Sequence, residues 1–155
     1  RWLLDRRGKL VWLLTGEGQM FSDARLRGAQ IPYYHTDVER GIAELGSLEP
    51  DSYLVVPQAG ECDFAMCYTG RAMGPSIPSG TILLLKAIDR DAIIPGSEYV
   101  IVGRKIVTLR TVRTSPEDER VRLVAGDREN YDDIVLNIND IVAVYKIKGK
   151  LTVTN

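Results

Sequence analysis

From residue 51 onward the apolar positions fall in short runs, many alternating with polar ones, and each run is bounded by turn-forming residues. Side chains on a strand point alternately to its two faces, so this patterning predicts strands rather than helices. The predicted strands cover 53–56, 64–68, 81–88, 98–102, 106–113, 120–124, 134–136 and 141–147. The separators "QAGE", "RDAIIPG", "VGRK", "SPEDE", "GDREN" and "NIND" supply the Gly, Pro, Asn and Asp that tight turns need. Strands this short and evenly spaced predict a mainly β, sandwich or barrel-like fold. The alternation of strand and helix that builds a parallel sheet is absent.

The first 50 residues read differently. Residues 1–30 carry two "WLL" runs, at 2–4 and 12–14, with six basic residues (Arg1, Arg6, Arg7, Lys9, Arg25, Arg27) against Asp5, Glu17 and Asp23, a local net charge of +3. The "WLL" runs predict short helical turns, stopped at Gly8 and at "TGEG". Residues 31–50, "IPYYHTDVERGIAELGSLEP", predict an extended crossing segment with a short helical piece near 38–45. The expected organisation is therefore 1–30, 31–50 and 51–155, and the chain beginning at Arg1 leads us to expect sequence upstream.

Composition narrows the function without naming it. At 155 residues, 45% hydrophobic and 26% charged, the chain can bury a core without disulfides or metals. A net charge of −1 excludes a chain that is basic overall. Cys62 and Cys67 are five apart in "CDFAMC", so on a strand they face opposite ways, and we expect both reduced, as in a cytoplasmic protein. No apolar run approaches a membrane span's roughly 18 residues. We expect no cofactor, no metal and no membrane association.

Familiar catalytic patterns are missing. His35 is the single histidine and lies in the irregular segment, which leaves no Ser-His-Asp triad; it reads as a surface or turn residue. Neither "GEG" nor "GRAMG" has the spacing of a phosphate loop or its Lys followed by Ser or Thr. Glu117, Asp118 and Glu119 read as a solvated hairpin tip. The cluster Asp127, Glu129, Asn130, Asp132 and Asp133 lacks calcium-loop spacing and reads as a turn with Asx caps. One stretch is left: "GRAMGPSIPSG", Gly70 to Gly80, a densely specified Gly/Pro loop whose centre, Ala72, has no chemistry.

The order of parts around this loop is specific. A strand leads to Gly70, Met73, Pro75, Ile77 and Gly80; then follow "TILLLKAI", "GSEYVIV", "IVTLRTV", "VRLVAGDRENYDDI" and "IVAVYKIKG". This arrangement, over about 51–149, resembles the C-terminal domain of the LexA, UmuD and phage CI-type repressor family of self-cleaving serine peptidases, whose loop reads G-D-S-M-x-P-x-I-x-x-G-D. The "DRENY" turn resembles that family's Asn-containing turn. "WLLTGEGQMF" resembles the tail of the helix-turn-helix domain preceding such a domain in phage-type repressors, and 31–50 then resembles the joining, cleavage-bearing segment. The resemblance implies a mainly β fold of short, mostly antiparallel strands with a short N-terminal helical segment.

The resemblance also locates what is missing. The family's catalysis uses a serine activated by a neutral lysine. The serine position falls on Ala72 and the lysine position on Arg110 of "VTLRTV". Ala has no nucleophile, and Arg keeps its proton at any accessible pH. Arg71 and Thr81 stand where the family has loop aspartates, and Arg40-Gly41 stands where the family cuts after a small residue. Ser76, Ser79, Lys86 and Lys105 are nearby, yet Ser76 lies four residues on and across a proline, so a relocated dyad is not expected. Arg110 is expected to plug the old cleft or to pair with a nearby acid.

Three functions follow from the resemblance. The first is a dimerising regulatory domain of a repressor without autoproteolysis, binding operator DNA through an N-terminal domain that this chain lacks. "IVAVYKIKGKLTV" is its candidate interface strand, with Val142, Val144 and Lys146 on one face and Ile141, Ala143, Tyr145 and Ile147 on the other. The second is a working, or deliberately inactivated, peptidase of the same fold. The third is a module whose vacant cleft clamps residues 31–46 in cis.

Overall fold

The computed structural model describes residues 2–4, 10–13, 30–57 and 61–152. Eleven strands run in chain order: β1 (Trp2–Leu4), β2 (Leu10–Leu13), β3 (Gln30–Asp37), β4 (Ser52–Val55), β5 (Phe64–Tyr68), β6 (Thr81–Ile88), β7 (Glu98–Gly103), β8 (Val107–Thr114), β9 (Arg120–Val124), β10 (Ile134–Asn137) and β11 (Ile141–Leu151). A one-turn helix, α1 (Val38–Gly41), and a 3-10 stretch (Ile42–Ser47) follow β3. The eight strands expected from the alternation are all present.

They join in one continuous, mostly antiparallel sheet, ordered β1-β2-β4-β3-β5-β6-β11-β7-β8-β9-β10, rather than in two facing sheets. Among the described residues, only β2–β4 and β3–β5 are parallel. The sheet buries side chains on both faces. On β5, Phe64, Met66 and Tyr68 enter the main core with Leu83, Leu85, Val100 and Leu109, while Ala65 packs on the other side with Ile31, Leu54 and Leu84. A third cluster gathers Tyr99, Ile101, Val112, Leu123, Ile141 and Val144. Burial on both faces explains why "FAMCY" reads as an unbroken apolar run.

Two expectations need correction. The helical turns foreseen at the "WLL" runs are strands at 2–4 and 10–13, where β1 pairs with β2 and β2 lies along β4. Runs of three or four apolar residues are too short to hold a helix against the offer of sheet hydrogen bonds. Residues 14–29, with the "TGEG" stop and most of the helix-turn-helix-like stretch, lie outside the described residues. The second correction concerns β11. It lies inside the sheet, bonded to β7 over Ile141–Lys146 and to β6 over Val144–Leu151, so it is paired on both sides only at its centre. A register shift between Ile141 and Ala143 also breaks its alternation. Ile141 and Val144 therefore share one cluster, Ala143, Tyr145 and Ile147 pack against the main core, and Val142 stands out in solvent.

This register has a measurable signature. Strict alternation makes Val142 and Val144 equivalent, whereas the shift leaves Val142 67% exposed and Val144 1% exposed. Val144→Ala should cost about 1–3 kcal/mol in urea unfolding and Val142→Ala less than about 0.5 kcal/mol. Equal costs would mean that the strand keeps the simple alternation.

Candidate functional site

The loop between β5 and β6 is shaped mainly by its own backbone. Gly74 N–H donates to Arg71 O (3.2 Å) and Ile77 N–H to Met73 O (2.9 Å), while Gly80 N–H closes the base on Tyr68 O (2.7 Å). Gly80 has φ +96°, a conformation that favours glycine over residues with a Cβ. The Gly74–Pro75 peptide is cis. Met73 and Ile77 anchor the loop in the main core, and Arg71 and Pro75 point outward. Tyr68 supports the loop from beneath, its hydroxyl accepting from Met73 N–H at 3.2 Å. Burial pushes the Tyr68 phenol up, Glu39 and Asp37 add to the rise, and the Met73 N–H and Arg110 charge oppose it.

The hydroxyls near Ala72 are committed elsewhere. Ser76 Oγ donates to Met73 O (2.9 Å) and Ser79 Oγ to Thr69 O (2.9 Å). Lys86 pairs with Glu61, and Lys105 sits exposed in the β7–β8 turn. Ala72 itself is 7% exposed.

Arg110 lies on β8, opposite Tyr99 of β7, and is also only 7% exposed. Its Nε donates to Thr108 Oγ1 (3.3 Å), its Nη1 to the Asp132 carbonyl (3.1 Å), and its guanidinium lies 5.8 Å from the Tyr131 ring centre. The acid partner foreseen for it is not among these contacts, which are a hydroxyl, a carbonyl and an aromatic ring. The neighbouring Asp133 is engaged by Arg122 and Arg128 instead.

One turn links the two positions. Asp127 N–H donates to the Ala72 carbonyl (2.9 Å), and four residues on, the same turn supplies Tyr131 and Asp132 to Arg110. Gly126 allows the approach: a Cβ there would lie 2.8 Å from the Met73 carbonyl oxygen. The acidic cluster in this turn is organised by Asx bonding, with the Asp127 carboxylate accepting from Asn130 N–H (3.3 Å) and Asn130 Nδ2 (2.9 Å).

The linker-like segment enters the same neighbourhood. β3 runs parallel to β5, and α1 carries Glu39 to β8. There Glu39 Oε2 accepts from Leu109 N–H at 3.0 Å, while Oε1 would lie 2.9 Å from a Cβ placed on Gly70. β9 pairs with β8 only from Thr111 onward, so among the described residues no strand covers the stretch of edge that carries the Leu109 N–H. Arg40 is exposed on α1 and Gly41 is buried. A Cβ on Gly41 would run into the Thr36 methyl. The Arg40-Gly41 bond thus sits in a helical turn rather than in an extended strand. His35 is an exposed residue of β3, its Nδ1 2.7 Å from the Tyr33 hydroxyl.

Sequence reasoning missed Glu39, Tyr68, Tyr131 and Asp132 as parts of this site. Tyr131 could have been found from the "DRENY" turn. Glu39 gives no sequence signal, because its partner is a backbone amide 70 residues away. Glu39→Ala should speed exchange of the Leu109 amide at least tenfold, since a hydrogen bond to a charged acceptor is worth about 1.5–3 kcal/mol. It should also hasten tryptic cutting after Arg40. Glu39→Gln, which keeps an acceptor, should lie between. Unchanged exchange in Glu39→Ala would mean that the carboxylate does not hold α1 down.

Comparison with known proteins agrees with this arrangement. No curated protein matches the chain. A model of the peptidase S24-like family matches residues 32–151, which spans β3 to β11 and includes the loop, the β8 strand and the turn that links them. The chain belongs to the peptidase S24-like family, the family of the LexA, UmuD and phage CI C-terminal domains.

Proposed function

We propose that this chain is the regulatory, dimerising domain of a phage-repressor-like transcriptional regulator of the cytoplasm, and that it has lost autoproteolysis. The observation that carries the reading is the pair of replaced positions, Ala72 and Arg110, held to one turn through Asp127 N–H and the Asp132 carbonyl. The catalytic step asks for a hydroxyl and a neutral amine. A methyl group cannot attack a carbonyl, and a guanidinium does not release its proton. The nearby Ser76 and Ser79 hydroxyls are spent on backbone carbonyls, which further supports the reading.

The helical state of the cleavage-like segment points the same way. Peptide bonds are commonly presented to clefts in extended form, along an uncovered strand edge. Here Arg40-Gly41 is wound into α1, and the Glu39 carboxylate occupies the Leu109 N–H. That contact favours a second, compatible role: residues 31–46 are kept in cis as a bound, uncut segment. Operator DNA would be reached through a helix-turn-helix domain N-terminal to this chain. Val142 stands exposed and β7 pairs with β11 only as far as Lys146, so we assign dimerisation to the exposed parts of β11 rather than to its doubly paired centre.

Two experiments test this. Sedimentation at high micromolar concentration should give the mass of a dimer, and a monomer throughout would remove the dimerising role. Restoring the pair in Ala72→Ser/Arg110→Lys, with Arg40→Ala to suit a narrow cleft, should yield slow scission at the 40–41 bond that accelerates with pH. The introduced hydroxyl should also take up a fluorophosphonate adduct whether or not α1 unwinds. Neither scission nor adduct in a folded variant would dissolve the proposed correspondence.

A further inference from the structure

We infer that the outer edge of β10 is a surface for a second copy of this chain, the two β10 strands pairing antiparallel about a two-fold axis at Val135. β10 ends the sheet, and among the described residues no strand covers its far side. The hydrogen bonds of the neighbouring strands fix which groups face that side. Val112 bonds to Gly96 and Ser97 on the β7 side, so Thr111 and Arg113 direct their backbone groups at β9. Counted across the ladders, Val121 and Leu123 then face β10, and Ile134 and Leu136 face back to them. The bond from Ile138 N–H to the Glu119 carbonyl (2.8 Å) keeps the same phase. The N–H and C=O groups of Val135 and Asn137 therefore point away from the sheet. Asp132 turns its carbonyl back to Arg110, so Asp133 continues this outward phase.

Nothing on the strand discourages a partner. End strands are ordinarily blunted by lysine, proline or a bulge. β10 reads Ile-Val-Leu-Asn, pairs with β9 without a register shift, and leaves Val135 47% exposed.

The residues select a second copy as the occupant. Outward groups must meet outward groups, so odd-numbered residues face odd-numbered ones. With Val135 facing Val135 of the second copy, all three outward positions pair, because Asp133 meets Asn137 and Asn137 meets Asp133. The side chains match in the same register. On the face that carries Arg122, the Asp133 carboxylate stands opposite a neutral amide, with Arg120 of the second copy on the next strand. On the other face Ile134 stands opposite Leu136, and both already border the apolar cluster around Leu123. Across the pairing no like charges stand opposite one another. A shift of two residues either way would set Val135 against Asp133 or Asn137. Such a contact is isologous, each copy offering the same patch. A pairing of about five residues, roughly 17 Å of strand, buries less than a standard interface. The association is therefore weak, with Kd on the order of 1 mM. It is additional to the β11 surface assigned above and does not depend on it.

Cysteine crosslinking under oxidised glutathione tests the register, with the unaltered chain, which already carries Cys62 and Cys67, as background. Residues facing each other in a hydrogen-bonded pair lie about 5.5 Å apart at Cα, within reach of a disulfide. Val135→Cys should form a covalent dimer roughly tenfold faster than Ile94→Cys, a more exposed position off this edge. Its tryptic peptide 129–146 should be found joined to itself. Asn137→Cys should not link to itself, but should link to Asp133→Cys when the two chains are mixed. In sedimentation, the unaltered chain near 1 mM should exceed the mass it has at high micromolar concentration. Val135→Pro should remove that rise and keep the fold, since the N–H it deletes faces outward.

Circular dichroism confirms that each variant is folded. Where Val135→Pro does not fold, the cysteine variants decide alone. Three results would overturn the inference: equal rates for Val135→Cys and Ile94→Cys, self-linking of Asn137→Cys as fast as that of Val135→Cys, or the same mass near 1 mM with and without Val135→Pro. A dimer that is lost in Val142→Lys but gives no link at 135 keeps the regulatory reading and loses this one. A link at 135 in a chain indifferent to Val142→Lys keeps this inference and removes the β11 assignment.

Discussion

The site depends on a single backbone contact. Gly126 brings the 125–133 turn close against the 70–80 loop, and Asp127 N–H fixes it there by bonding to the Ala72 carbonyl. The same turn then reaches Arg110 through Tyr131 and Asp132. None of these bonds uses the side chain at position 72. The loop keeps its shape through backbone hydrogen bonds, the buried Met73 and Ile77, and the glycine at 80. A carefully formed loop around a methyl group is therefore no paradox: the form belongs to the frame and not to the group at its centre.

The sheet sets the limits on what the site can do. β11 lies inside the sheet between β6 and β7, doubly paired at Val144–Lys146. Near the loop, uncovered backbone lies on β8, before β9 begins to pair. There a carboxylate from α1 takes the place that a bound strand would otherwise take. The segment carrying Glu39 thus closes this edge of β8, one residue from the buried Arg110.

Much of the fold was legible because its signals are local. Alternating runs and turn residues mark β4 to β11, and the order of Gly, Met, Pro and Ile marks the loop. The misreadings share a physical cause. β1 and β2 are too short to declare themselves, and they become strands only because β4 offers partners. The β11 register changes at a bulge that leaves no mark in composition. Glu39 and the Arg110 contacts depend on pairings across 70 and 22 residues, which no window along the chain can contain. The order of residues that marks the loop was readable from the sequence, but the turn that ties Ala72 to Arg110 was not.

The central claim is that no proton-transfer pair survives beside the loop. Intact-mass analysis of the unaltered chain through prolonged mild alkaline incubation tests it most directly, because raising the pH neutralises lysine and leaves arginine charged. The account predicts one unchanged mass. Clean scission between Arg40 and Gly41 would contradict it.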